Sequence, residues 1–94
     1  MPMFVVLGRF TDDGAKNMPD LVAGVEQNMA RAASLGITQH GWYMTQGQYD
    51  FVVIAEAPEA DTLLKQEFGV AASGVARTET MRAYTIDEVR QILG

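Results

Sequence analysis

Three side chains that could act on a small molecule lie in one short segment, Ile37 to Thr45. The segment has the composition of a strand, in which successive side chains point to opposite faces of a sheet. His40 and Trp42 would then share one face, and Tyr43 would lie on the other. An imidazole that titrates near neutral pH is the best general base this chain offers. His40, Tyr43 and the nearby Tyr49 are therefore the candidate catalytic residues.

The same strand supplies a candidate ligand site. If a three-residue loop joins it to the next strand, Asp50 lies opposite Met44 and Ile54 lies opposite His40. His40, Trp42 and Asp50 could then line one end of a cavity. The alternative is that Trp42 packs in the core or in an interface, with its indole N–H satisfied there.

Two arginines form a second candidate ligand site. Antiparallel pairing should bring Asp50, Arg9 and Arg77 to the same end of the sheet. Two guanidinium groups could bind a carboxylate ligand, with Asp50 ordering them. The alternative is an ion pair that holds the end of the hairpin, which contributes about 0–1 kcal/mol when it is exposed.

The sequence lacks the residues that metal, cofactor, nucleic-acid or membrane binding would require. The chain has no Cys and His40 is its only histidine, so we expect no metal site. Phosphate-binding and dinucleotide-binding glycine patterns are absent, so we expect no cofactor. Twelve acidic and seven scattered basic residues give a net charge of −5, which argues against nucleic acid and anionic membranes. Without a long apolar run or a secretion signal, we expect a cytoplasmic protein.

The elements that would position these residues follow the order β-α-β-β-α-β, within one domain spanning residues 1–94. Apolar and β-branched runs predict the strands, and apolar residues at helical spacing predict the two main helices. A capping box from Thr85 to Glu88 predicts a short final helix. The strands are expected at Met3 to Phe10, Ile37 to Thr45, Tyr49 to Ala57 and Val75 to Tyr84. The helices are expected from Pro19 to Leu35, and from Pro58 onward with an apolar face of Leu64, Phe68 and Ala71.

This order is the ferredoxin-like pattern, an α+β fold with a four-stranded antiparallel sheet in the strand order 4-1-3-2. The first and third strands are central and apolar on both faces, but two helices can cover only one face. We therefore expect a homodimer of the dimeric α/β-barrel type, with the second copy covering the other face. The rival expectation is that the short final helix folds back over that face.

The sequence also resembles a known family. Residues 45–54 (TQGQYDFVVI), followed by Glu56-Ala57-Pro58, resemble the signature segment of the GYD domain family. Residues 77–85 (RTETMRAYT) resemble its last strand, and the opening strand through Gly14 also fits. The tripeptide of the name is interrupted here, because Gln48 stands between Gly47 and Tyr49. The resemblance implies a small bacterial protein of unknown function that is similar to dimeric α+β barrel proteins, and it implies no established reaction.

Three functions remain open at this point. The first is a small homodimeric domain that binds a small organic ligand between its sheet and the partner copy. The second is a cofactor-independent enzyme, an oxygenase or isomerase, acting on an aromatic or carbonyl substrate. The third is an assembly module with no ligand. The sequence does not decide whether the chain is an enzyme.

Overall fold

The computed structural model describes residues 1–94, and its strands and main helices follow the expected order. The strands are β1 (Met3–Phe10), β2 (Thr38–Met44), β3 (Phe51–Glu56) and β4 (Ala76–Ala83). The helices are α1 (Asp12–Ala15), α2 (Met18–Ser34), α3 (Ala60–Ser73) and α4 (Ile86–Leu93).

The short helix α1 was not expected from the sequence. The Thr11 side chain accepts a hydrogen bond from the Gly14 N–H at 3.1 Å and donates one to the Gly74 carbonyl. Residues such as Thr and Asp are favoured both at the start of a helix and in turns, so their presence after a strand does not distinguish the two structures. The turn predicted after β1 is therefore one turn of helix.

The four strands form one antiparallel sheet in the order β2-β3-β1-β4, which confirms the ferredoxin-like topology. The central strands β1 and β3 alternate between two faces. One face packs under α2 and α3, and its buried side chains include Phe4, Val6, Phe51, Val53 and Ala55. We call the opposite side the open face, and its central residues are Val5, Leu7, Val52 and Ile54.

An aromatic cluster closes one end of the core. The Phe51 ring lies 5.2 Å from the Phe10 ring and stacks on Trp42 at 5.0 Å. It also lies directly over Gly8, its partner on β1, where a Cβ atom would collide with the ring. The absence of a side chain at Gly8 is what allows Phe51 to occupy this position.

The pairing of β2 with β3 differs from the expected register. Met44 pairs with Phe51 rather than Asp50, and Gly41 rather than His40 pairs with Ile54. The loop between the strands is longer than three residues, and the Thr45 N–H donates to the Asp50 carbonyl at its base at 2.7 Å. A β-bulge between Gln39 and Gly41 then shifts the register again.

Helix α3 presents a different face to the sheet from the one expected. Leu63 and Gln66 are buried, whereas Leu64 and Phe68 are 45% and 63% exposed. The buried face contains the polar residue Gln66 at its centre, whereas Leu64, Phe68 and Ala71 form a continuous apolar stripe on the other side. The apolar pattern of the sequence therefore predicted the wrong face of α3. We call this stripe, Leu64, Phe68 and Ala71, the outer face of α3.

Helix α4 does not cover the open face, so that rival expectation is wrong. None of its residues is buried, and Ile86, Ile92 and Leu93 are all at least 69% exposed. The predicted capping box is present, with the Thr85 hydroxyl accepting from the Glu88 N–H at 3.1 Å. The hydrogen bond from the Thr85 N–H holds the pKa of the Glu88 carboxyl below its ordinary value.

Length and hydropathy also bear on membrane insertion. None of the helices combines the length and the apolar character that a transmembrane segment requires.

Candidate functional site

His40 is the extra residue of the β2 bulge, and it is paired with a carboxylate. Its Nε2 atom lies 2.7 Å from Glu56 Oε1, at the end of the open face. Both side chains are partly exposed to solvent. A carboxylate that orients an imidazole is the arrangement found in many general bases, and no sequence pattern pointed to this pairing.

Trp42 lies on the opposite face of the sheet from His40, so the expected cavity lined by both is wrong. The Trp42 ring stacks on Phe51 with 13° between the planes, under the helices. The bulge inserts one residue into the alternation of β2, and this places His40 and Trp42 on different faces. Trp42 is one of the partly buried residues that pack against the core.

Tyr43 lies on the open face, opposite Val52, and is 57% exposed. Its ring covers Gly41, where any Cβ would collide with the ring. No other side chain is hydrogen-bonded to the Tyr43 hydroxyl. Tyr43 therefore extends the apolar open face toward the edge strand β2.

Tyr49, Arg9 and Arg77 lie together at the other end of the open face. The Arg9 guanidinium carbon lies 4.9 Å from the centre of the Tyr49 ring, and Arg9 Nε donates to the Gln48 carbonyl at 2.9 Å. Arg9 and Arg77 are directly opposite each other in the β1–β4 pairing. Neither arginine forms an ion pair with an acidic residue. Two like charges in this position repel each other.

Asp50 has a structural role instead of the ion pair given as an alternative above. Its Oδ2 atom accepts a hydrogen bond from the Phe10 N–H at 2.9 Å. The Asp50 N–H in turn donates to the Gly8 carbonyl at 2.8 Å. Asp50 therefore continues the β1–β3 pairing by one step beyond the strand, and it does not order the two arginines.

The candidate catalytic residue Tyr49 lies far from His40. Tyr49 precedes β3, whereas His40 is bonded to Glu56 at the end of β3. A strand rises about 3.3 Å per residue, so these groups are separated by on the order of 20 Å. A nucleophile or acid cannot cooperate with a base at that distance within one chain.

The environment of Tyr49 alters its titration. Its hydroxyl donates a hydrogen bond to Glu79 Oε2, and the neutral phenol is required for that bond. This bond is the main cause of a pKa above the ordinary value of 10.0, and burial and the negative charge of Glu79 add to it, while Arg9 lowers it. Any stability that the bond contributes is present below pH 10 and is lost as the pH rises through the raised pKa.

We predict that a Glu79→Gln substitution lowers the pKa of Tyr49. The amide oxygen of glutamine accepts a weaker hydrogen bond and carries no charge, so less holds the proton on the phenol. The measurement is the absorbance of ionised tyrosine as a function of pH, with Tyr49→Phe identifying the signal. An unchanged titration of Tyr49 in the Glu79→Gln variant would show that the bond does not form in solution.

A cavity of about 350 Å³ lies between the sheet and helices α2 and α3, inside the protomer. It was not predicted from the sequence. Its lining is mostly apolar and comes from both layers, including Leu21, Val25 and Met29 of α2, Leu63 and Val70 of α3, and Trp42 and Val53 of the sheet. The cavity is partly open to solvent.

Gln66 is the buried polar residue in the wall of this cavity. It is 6% exposed, and its Nε2 atom donates to the Asn28 carbonyl at 2.8 Å. Its Oε1 atom is buried and has no hydrogen-bond partner. Unpartnered buried acceptors are rare in native proteins because they lose their bonds to water. The sequence signal was a glutamine at the centre of an otherwise apolar helix face.

The chain is similar to known proteins both in fold and in sequence. The structure is similar to the crystal structure of TTHA0845 from Thermus thermophilus, with a TM-score of 0.61 and 22% identity. That similarity covers 90% of this chain and 95% of the other. The chain is also 33% identical, over 92 residues and 95% of each chain, to a Thermus thermophilus protein named glutamine synthetase and cystathionine beta-lyase binding protein. The GYD domain model matches residues 4–93, and the chain belongs to the GYD domain family.

Proposed function

We propose that this chain is a homodimeric protein-binding module, a single GYD-type domain over residues 1–94. The observation that carries the proposal is the open face, whose apolar centre is covered by none of the chain's own helices. Two copies related by a two-fold axis would cover it with identical surfaces. The proposal includes a cytoplasmic location and a bacterial origin, and the Thermus relative supports the latter.

The energetics favour pairing through this face. Burying several hundred Å² of apolar surface, at about 25 cal/mol per Å², contributes on the order of 10 kcal/mol before the entropy lost on association. The apolar side of α4, with Val89 and Leu93 exposed, would add to this area if it reached the partner copy. Stable interfaces bury about 800 Å² on each partner.

A protein partner would bind elsewhere on the dimer. The outer face of α3 lies on the helical layer, away from the open face, and stays accessible when two sheets pack together. An exposed aromatic ring such as Phe68 is the kind of side chain that dominates binding interfaces. The name of the Thermus relative supports a metabolic enzyme as the partner.

Sedimentation equilibrium and surface binding test the two halves of this proposal separately. We expect a dimer of two 10.3 kDa chains at micromolar concentration. We also expect the immobilised protein to bind purified glutamine synthetase or cystathionine beta-lyase. A monomer would overturn the dimer, and a dimer that binds neither enzyme would overturn the protein partner.

We predict that Phe68→Ala weakens enzyme binding by about tenfold or more, as expected for a central aromatic contact. Val22→Ala, at a similarly exposed apolar position on α2, is the matched control and should leave the affinity unchanged. The dissociation constants of both variants can be compared in the same binding assay. Equal affinities would place the binding surface somewhere other than the outer face of α3.

The ligand and catalytic roles given above stay predictions. Two facing arginines without acidic partners support an anion-binding role for Arg9 and Arg77, at one end of the proposed interface. A catalytic role for His40, Tyr43 or Tyr49 has less support, because Tyr49 lies far from the other two residues within one chain. We therefore favour binding over catalysis.

A further inference from the structure

We propose that the cavity between the sheet and helices α2 and α3 binds a small, uncharged and mostly apolar molecule that donates one hydrogen bond to Gln66 Oε1. The chemical class is an alicyclic or aromatic alcohol, or a comparable amide. This site is inside each protomer and is independent of the proposed dimer and protein partner.

The orientation of Gln66 is fixed by its own hydrogen bond. The Nε2 atom must face the Asn28 carbonyl, because the opposite amide orientation would place two acceptors against each other. Gln66 lines the cavity, and its acceptor Oε1 is left buried and without a hydrogen-bond partner. A ligand that carries an O–H or N–H donor would satisfy it, whereas a purely apolar ligand would not.

Gly24 is a second, independent feature of the site. It lies within α2, where a glycine is unfavourable relative to alanine, and its backbone is not in the left-handed region. A Cβ at this position would meet no atom within 4 Å, and Gly24 lines the cavity. Neither a turn nor a close contact therefore requires a glycine at this position. The effect of the missing side chain is to leave the cavity larger at this point.

The volume of the cavity and the charges around it limit the size and the charge of a ligand that could bind there. A volume of about 350 Å³ is at the lower end for ligand sites and suits roughly 10–15 non-hydrogen atoms. The charged residues around it are mostly acidic, with Asp13, Asp20 and Glu67 against Lys16. Lys16 is already paired with Asp13 at 3.0 Å. An anionic ligand is therefore disfavoured relative to a neutral one.

The test uses 4-tert-butylcyclohexanol and its methyl ether, which share a shape but differ in the hydroxyl donor. Trp42 is the only tryptophan and lines the cavity, so its fluorescence reports binding, and calorimetry gives the dissociation constant. We expect the alcohol to bind the wild-type protein about tenfold more tightly than the ether. In Gln66→Leu that preference should disappear.

Two variants at Gly24 show whether a loss of binding comes from a side chain that fills the cavity or from a damaged fold. Gly24→Leu should block the alcohol, whereas Gly24→Ala, which also favours the helix, should still bind it. Circular dichroism confirms that both are folded. The proposal is overturned if Gly24→Leu binds like the wild type, or if alcohol and ether bind the wild type equally. It is also overturned if cyclohexanol, 4-tert-butylcyclohexanol and decahydro-2-naphthol all fail to bind at their solubility limits.

Discussion

A Gly8→Ala variant is expected to be less stable than the wild type by about 2 kcal/mol, which for a domain of this size lowers the melting temperature by on the order of 10 °C. The added methyl group would occupy the position of the Phe51 ring. Phe51 cannot move away freely, because it is held between Phe10 and Trp42. Thermal unfolding followed by circular dichroism measures the difference.

Whether Gly8→Ala lowers or raises the stability of the protein shows which of two effects is larger, the collision with the Phe51 ring or the preference of the backbone for alanine over glycine. Alanine is favoured over glycine in a strand by roughly 0.5–1 kcal/mol, so backbone preference alone predicts a more stable variant. Gly24→Ala is the control, since no atom lies near its added Cβ, and it should be stabilising. A Gly8→Ala protein as stable as the wild type would mean that Phe51 does not lie over Gly8.

An Ile54→Glu variant is expected to be monomeric at concentrations where the wild type is a dimer. Ile54 lies at the centre of the open face, paired with Val5 on one side and Gly41 on the other. In the proposed dimer each copy would bury an unpaired carboxylate, which weakens association by about 100-fold or more. Sedimentation velocity over a range of concentrations gives the dissociation constant.

The control for this experiment is Leu64→Glu on the outer face of α3. Leu64 is apolar and exposed, but it lies on the helical layer, so the added charge should leave the dimer intact. Both variants should remain folded, because neither position is part of the buried core. A dimeric Ile54→Glu variant would show that the chains associate through another surface.

The sheet could be predicted from the sequence because its signals are local. Runs such as Phe4 to Leu7 and Phe51 to Ile54 are apolar on both faces, which only central strands require. The capping box at Thr85 and the position of α2 follow from short patterns as well. These features depend on neighbouring residues, so one sequence is enough to find them.

The site was harder to predict because it depends on register and on packing between elements. One inserted residue at His40 reverses the face of every residue before it in β2, and composition does not reveal such an insertion. The buried face of α3 contains Gln66, so the apolar stripe pointed to the wrong side. The cavity exists only where α2, α3 and the sheet meet, and no short segment carries a signal for it.

The bulge in β2 also affects how copies of this protein can associate. β2 and β4 are the two edge strands of the sheet, and their free backbone groups would otherwise allow sheets to join edge to edge into fibrils. The bulge at His40 interrupts the regular backbone of β2. Arg77, Glu79 and Arg82 place charged side chains along β4. Growth by strand addition is thereby discouraged, which leaves closed, finite assemblies as the favoured outcome even in concentrated solution.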